Sequence, residues 1–270
     1  MIVIVGKNQP LADCVAEKFR VMGLHGDVQL RNTTCLMDYL NLHHQEIELL
    51  IYVDKRRDEE IEERSRMDYL QLLWTITAKH AVPLMFLFFK YNSNYMIDTQ
   101  LDDFVKWSGK QYRHPPLFYL FKLTELYGTE DKTSALDVFY RRIVQEGEAS
   151  ILRRSDGHGD LVERQLDYVY VKDVMRVLYW FATHHPKNGV YELGSGFPRT
   201  DMAVANAIYR VLKLKQRPQY IDDSSVRGCP NWSILGADLT HLRRVGYKKP
   251  FYSLEKGVKS HIQRSFSSDS

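Results

Sequence analysis

Short apolar runs alternate with segments of helical spacing along the first half of this chain, and that alternation admits few folds. The first run, Met1-Ile-Val-Ile-Val5, is β-branched and ends at Gly6. Leu11 to Met22 follows with apolar residues spaced for a helix. Asp27 to Leu30, Ile47 to Val53, Pro83 to Phe89 and Pro116 to Phe121 read as further strands. Glu59 to Lys79, Met96 to Trp107 and Thr133 to Glu146 read as helices. Strands joined by helices predict a parallel α/β sheet.

In the second half, Leu166 to Val171 and Val190 to Leu193 read as strands, and Val174 to Thr183 and Met202 to Leu212 as helices. Regular alternation fades from about Glu148 onward, which predicts a smaller C-terminal lobe. The expected division is residues 1–147 with later strands contributed from 165–192, then a lobe over 148–264, then a flexible tail over 265–270. A length of 270 residues suits one large domain with such a lobe.

The net charge of +3 supplies no field to recruit nucleic acid, so no nucleic-acid partner is expected. The longest apolar run, Ala81 to Phe89, falls far short of the roughly 20 residues that span a bilayer. No basic-then-apolar leader opens the chain, and a cytoplasmic protein without membrane insertion is expected. Cys14, Cys35 and Cys229 are odd in number and widely spaced, which fits reduced packing residues better than a disulfide framework or zinc site.

Leu166-Asp-Tyr-Val-Tyr-Val-Lys-Asp-Val174, Tyr191-Glu-Leu-Gly-Ser-Gly-Phe-Pro-Arg-Thr200, Ala237-Asp-Leu-Thr-His-Leu-Arg-Arg-Val-Gly246 and Lys249-Pro-Phe251 occur in that order. Together with Leu123-Thr-Glu-Leu-Tyr-Gly128 they resemble the C-terminal half of the extended short-chain dehydrogenases/reductases, the nucleotide-sugar epimerase/dehydratase family. The resemblance is strong over residues 117–258 and weaker before them. It implies a Rossmann-like, doubly wound parallel sheet that holds NAD or NADP, with a small C-terminal α/β lobe that holds a nucleotide sugar.

Residue by residue, the cofactor loop departs from the family. Its GxxGxxG turn aligns with Gly6-Lys-Asn-Gln-Pro-Leu-Ala12, which keeps the first glycine alone. Gln9 puts a side chain in the phosphate path, and Pro10 removes a donor from the helix N-terminus that would cradle it. Lys7 could meet a phosphate or simply be solvated. Arg31 stands where an acidic ribose ligand is expected, so it either accepts the 2′-phosphate of NADP or is a surface charge. At the third cofactor turn, Asp54 replaces a small residue and would repel a pyrophosphate unless it is paired. No cofactor is therefore expected, or NADP if any.

The family's chemistry needs a tyrosine, a lysine four residues later and an orienting hydroxyl. Tyr91 is the one candidate for a vestigial catalytic tyrosine, but Tyr95 takes the lysine's place. An unassisted phenol titrates at about pH 10, so a phenolate at neutral pH costs roughly 4 kcal/mol. Phe88-Phe89 replaces the hydroxyl pair. Tyr168–Lys172 and Tyr252–Lys256 reproduce the spacing on the wrong elements and read as coincidence.

Arg153, Arg154 and Arg164 fall in the region where the family binds its sugar nucleotide and are the candidate phosphate ligands. His43-His44 and His184-His185 are adjacent pairs that diverge on a helix, and no metal site is expected. The stretch Ser155 to Asp160 reads as a loop. The helices 59–79 and 96–107 correspond to those that pair in the family's dimers, and Met67, Leu70, Leu73, Trp74 and Ile76 give the first of them an apolar face wide enough both for internal core packing and for a homodimer, a related chain or a larger assembly. These features favour a catalytically inactive, epimerase-like binding or assembly subunit. Two alternatives stay open: an active NADP-dependent epimerase or reductase with an unusual site, and a nucleotide-sugar sensor without redox chemistry.

Overall fold

A computed structural model of the chain describes residues 1–6, 9–21, 27–30, 33–54, 62–89, 95–129, 134–155, 160–223 and 236–267. The first elements are β1 (Ile2–Gly6), α1 (Gln9–Val21), β2 (Asp27–Leu30), α2 (Thr33–His43), β3 (Leu49–Val53), α3 (Glu62–Lys79), β4 (Leu84–Phe89) and α4 (Tyr95–Gln111). There follow β5 (Phe118–Leu123), β6 (Glu125–Tyr127), α5 (Ala135–Glu146), β7 (Ala149–Ser155), β8 (Leu161–Glu163), β9 (Gln165–Leu166) and β10 (Tyr168–Tyr170). The last are α6 (Val171–His184), β11 (Gly189–Leu193), β12 (Arg199–Thr200), α7 (Asp201–Leu212), β13 (Pro218–Asp223), α8 (Thr240–Arg244) and α9 (Leu254–Ser267).

Residues 1–123, 175–192 and 239–248 make one compact unit, built on a six-stranded sheet of order β11-β5-β4-β3-β1-β2. From β2 to β5 every neighbour runs parallel. The strands β3, β4 and β5 are buried along their whole length, which is why they are apolar without interruption. The register aligns Val5, Tyr52, Phe86 and Leu120 across one face, where α2, α3 and α4 complete the core. On α3, Leu70, Leu73 and Trp74 belong to this core, and the Trp74 ring packs 4.8 Å from that of Phe118. These three therefore do not form an assembly face: packing on the sheet consumes them. The other face is covered in part by α6, whose Phe181 ring meets Tyr119 and Phe121 edge-on, each at 4.9 Å. Helices on both faces make the sheet doubly wound.

Residues 124–174, 193–238 and 249–270 make the second unit. The sequence boundary at 147 differs from this grouping, because β6 and α5 pack in the second unit. Leu166 to Val171 is not one strand: β9 and β10 flank Asp167, and the Asp167 carbonyl accepts from Glu125 N at 3.0 Å. Among the described residues, β10 pairs with β6, β12 with β9, and β13 and β8 flank β7. The C-terminal helix α9 carries on to Ser267, past the start of the expected flexible tail.

Helix α5 opens on a capping box between Ser134 and Asp137 and closes on Gly147 in the left-handed conformation. The same Asp137 accepts a hydrogen bond from His261 Nε2 of α9 at 2.7 Å, with both side chains buried. Burial pushes the Asp137 carboxyl up, but hydrogen bonds from His261 and Ser134 outweigh it and hold the group below its ordinary 3.8. A carboxyl depressed on folding adds stability that is present above its unfolded value and is lost as pH falls through the folded one. Acid unfolding should thus steepen below the ordinary carboxylate range. Asp137→Asn should flatten that slope in pH-dependent melts, and an unchanged slope would remove this role.

Candidate functional site

In the first unit the chain leaves β1 for β2 on one side and returns to β3 on the other. The crevice at the carboxyl ends of β1 and β3 is the topological switch point at which open α/β sheets bind ligands. Gly6 ends β1 opposite Val53 of β3. Asp54 follows, only 5% exposed, its N–H donating to Leu87 O at 2.8 Å. Helix α1 begins at Gln9 with Pro10 next, so proline occupies its first turn. Next in the sheet, β4 ends in Phe88 and Phe89, both buried and aligned with Lys122 and Leu123 of β5.

Lys122 brings to this edge a pairing that sequence reasoning missed. Its Nζ lies 3.0 Å from Glu192 Oε1 on β11, and both side chains are largely buried. A lysine inside the run Phe118-Tyr-Leu-Phe-Lys-Leu123 is the signal, since a charge in a buried strand requires a partner. Of the candidate residues of this unit, Gly6 lies at the switch point, while Lys7, Arg31 and Tyr91 fall outside the described residues.

In the second unit, the candidate phosphate ligands Arg153 and Arg164 are bound to carboxylates of the chain itself. Arg153 grips Asp222 through two hydrogen bonds of 2.9 and 3.2 Å, and its guanidinium lies 4.2 Å from the centre of the Tyr220 ring. Tyr220 in turn donates to Glu163 at 2.8 Å, and Glu163 accepts from Met202 N in the first turn of α7. Arg164 donates to Asp201 at 3.1 Å, and Tyr168 donates to the same oxygen at 3.3 Å. Arg154 belongs to β7, aligned with Val162 of β8. Bidentate arginine–carboxylate pairs satisfy the donors that a phosphate would use.

Burial, and then the Asp201 charge, push the Tyr168 phenol well above its ordinary value, the opposite of what a proton-transferring tyrosine needs. Four residues on, Lys172 Nζ donates to Ser260 Oγ at 3.2 Å instead. Tyr252 meets Tyr170 edge-on at 5.4 Å. Among the described residues no group of three or more His, Cys, Asp or Glu side chains could hold a metal. His43 ends α2 and stacks on Tyr39; His184 ends α6 and stacks on Trp180.

The segments that carry the family resemblance meet at one buried carboxylate. Asp167, 1% exposed, accepts from Ser195 N at 2.7 Å, Ser195 Oγ at 2.5 Å, Gly196 N at 2.8 Å and Ala237 N at 2.9 Å. Three distant stretches of chain are thereby joined. Gly194 permits the approach, because a Cβ there would come within 2.4 Å of Asp167 Oδ2 and 2.6 Å of the Ala237 Cβ. Asp173, from the same first segment, accepts from Tyr252 N at 2.8 Å, just past Lys249-Pro-Phe251. These residues brace the unit and are fully engaged with it.

No protein-family model matches the chain. It is 28% identical over 178 residues to the ADP-L-glycero-D-manno-heptose-6-epimerase of Fusobacterium nucleatum, a match covering 59% of this chain and 52% of that protein. It is 30% identical over 141 residues to the enzyme of the same name from Nitratidesulfovibrio vulgaris, covering 51% and 43%. The chain thus spans about half the length of the curated relatives it matches. Among solved structures, UDP-glucose 4-epimerase of Thermotoga maritima with UDP-glucose superposes with a TM-score of 0.72 at 17% identity, covering 100% of both chains. The Helicobacter pylori ADP-L-glycero-D-manno-heptose-6-epimerase gives 0.72 at 14% identity, covering 98% of this chain and 96% of that one. Through these sequence relatives and the parallel α/β fold it shares with their structures, the chain is related to the NAD-dependent epimerase/dehydratase, or extended short-chain dehydrogenase/reductase, family.

Proposed function

We propose that this protein is a catalytically inactive relative of the nucleotide-sugar epimerases and acts in the cytoplasm as a binding or assembly subunit. The observation that carries this reading is Phe88-Phe89, buried at the carboxyl end of β4, where the resemblance requires an orienting hydroxyl. Without that hydroxyl this strand end offers nothing to orient the substrate alcohol for proton transfer. The internal pairing of Arg153 and Arg164 favours a structural role for the second unit over sugar-nucleotide sensing.

Assembly proceeds in this reading through α3 and α4, as a homodimer. Between them lies a groove of about 420 Å³ floored by Met67, Phe104 and Trp107 and edged by Asp68 and Asp103. Lys79, Lys106 and Lys110 lie in the second halves of the two helices. A two-fold pairing with helices antiparallel sets the acidic half of each copy against the basic half of the other.

Turnover tests the absence of catalysis. Wild type and Tyr91→Phe, assayed side by side with nucleotide sugars and both dinucleotides, should show no epimerisation or reduction in either. Wild-type turnover that falls by about 10²–10⁴-fold in the variant would establish an active enzyme.

A further inference from the structure

We propose that the groove between α7 and α9 binds a small amphiphilic anion: a carboxylate or comparable group on an apolar body about 10 Å long. The groove encloses about 580 Å³ within the second unit. Its floor is apolar, formed by Ala207, Val211 and Ile262, and its rim carries Arg210, Lys213 and Lys259. Among the described residues these three cations have no carboxylate within ion-pair distance. Glu255, the one acid of the lining, is engaged by Arg199 at 2.6 Å. An apolar floor under unpaired positive charge is complementary to a molecule that is apolar at one end and anionic at the other.

The dimensions limit the occupant. Lining residues run from Ala207 on α7 to Lys213, which caps its C-terminus, and from Glu255 to Gln263 on α9. At 1.5 Å per residue these are paths of about 9 and 12 Å, shorter than a typical docked helix of three to four turns. The volume falls in the small-molecule range of roughly 300–1,000 Å³. The negative end of the α7 dipole offsets part of the charge of Arg210 and Lys213, so the apolar floor must share in the affinity. Neither the switch point nor the paired arginines take part, so this site stands apart from the proposed function.

Decanoate, below its micelle concentration in low-salt buffer, is the probe. Calorimetry on the full chain should show saturable one-to-one binding that weakens as salt is added. Lys213→Glu combined with Lys259→Glu, both exposed positions, should weaken it about tenfold with an unchanged melting temperature. Val211→Trp, which fills the floor, should abolish it. Absence of saturable binding to the wild type, equal affinity in the charge-reversed protein, or displacement of decanoate by UDP-glucose would each overturn the assignment.

Discussion

Asp167→Ala is expected to lower the unfolding free energy by about 4 kcal/mol or more, since each buried donor left without a partner costs about 1–3 kcal/mol. Three backbone N–H groups, of Ser195, Gly196 and Ala237, lose their acceptor at once. Water cannot readily replace the carboxylate, because the side chain is 1% exposed. Asp167→Asn, which keeps the shape and one acceptor oxygen, should recover part of the loss. Gly194→Ala should approach the same cost by a different route, driving a methyl group against Asp167 and Ala237. Urea unfolding measures all three variants. A loss below about 1 kcal/mol for Asp167→Ala, the size of one ordinary hydrogen bond, would mean that the three segments hold together without it.

Leu73→Glu should be as damaging, and for a reason opposite to the one the sequence suggests. On a helical wheel Leu73 belongs to an apolar face wide enough to serve an interface. In the fold it is 0% exposed and packs in the core beneath the sheet with Trp74 and Leu70. Truncating a buried leucine costs about 2–5 kcal/mol, and burying a carboxylate in its place adds more. The variant should unfold rather than dissociate. Its neighbour Leu72 is 48% exposed, so Leu72→Glu should leave the melting temperature within a few degrees. Sedimentation of Leu72→Glu then tests pairing through α3 and α4: wild type should sediment as a dimer and the variant should shift toward monomer. A wild-type monomer at high concentration would remove the homodimer.

The contrast between Leu73 and Leu72 shows what periodicity conveys. It identifies the apolar stripe of α3 but not what covers it, because core and interface bury the same residue types. The central strands were legible because burial on both faces demands unbroken apolar runs such as Leu84 to Phe89. The small sheet of the second unit was not: β7, Ala149-Ser-Ile-Leu-Arg-Arg-Ser155, mixes apolar and charged residues, and its Arg153 is aligned with Asp222 on one neighbouring strand and Glu163 on the other. Distance in sequence hid the rest. Asp167 and Ala237 are 70 residues apart and Arg153 and Asp222 are 69 apart, and no local pattern marks either pairing. The motifs that carried the resemblance were thus recognised without their role as braces being visible.

Dinucleotide binding is the direct test of the proposed inactivity, in which the second unit keeps its bracing residues while the cofactor loop departs from the family pattern. Titrating the purified chain with NAD and with NADP by calorimetry, up to millimolar ligand, should give no saturable heat for either. In the proposed reading Gln9 and Pro10 stand in the pyrophosphate path, and Phe88-Phe89 takes the place of the orienting hydroxyl pair. Saturable binding in the micromolar range would contradict the inactive reading, and a strong preference for NADP would assign the 2′-phosphate contact to Arg31.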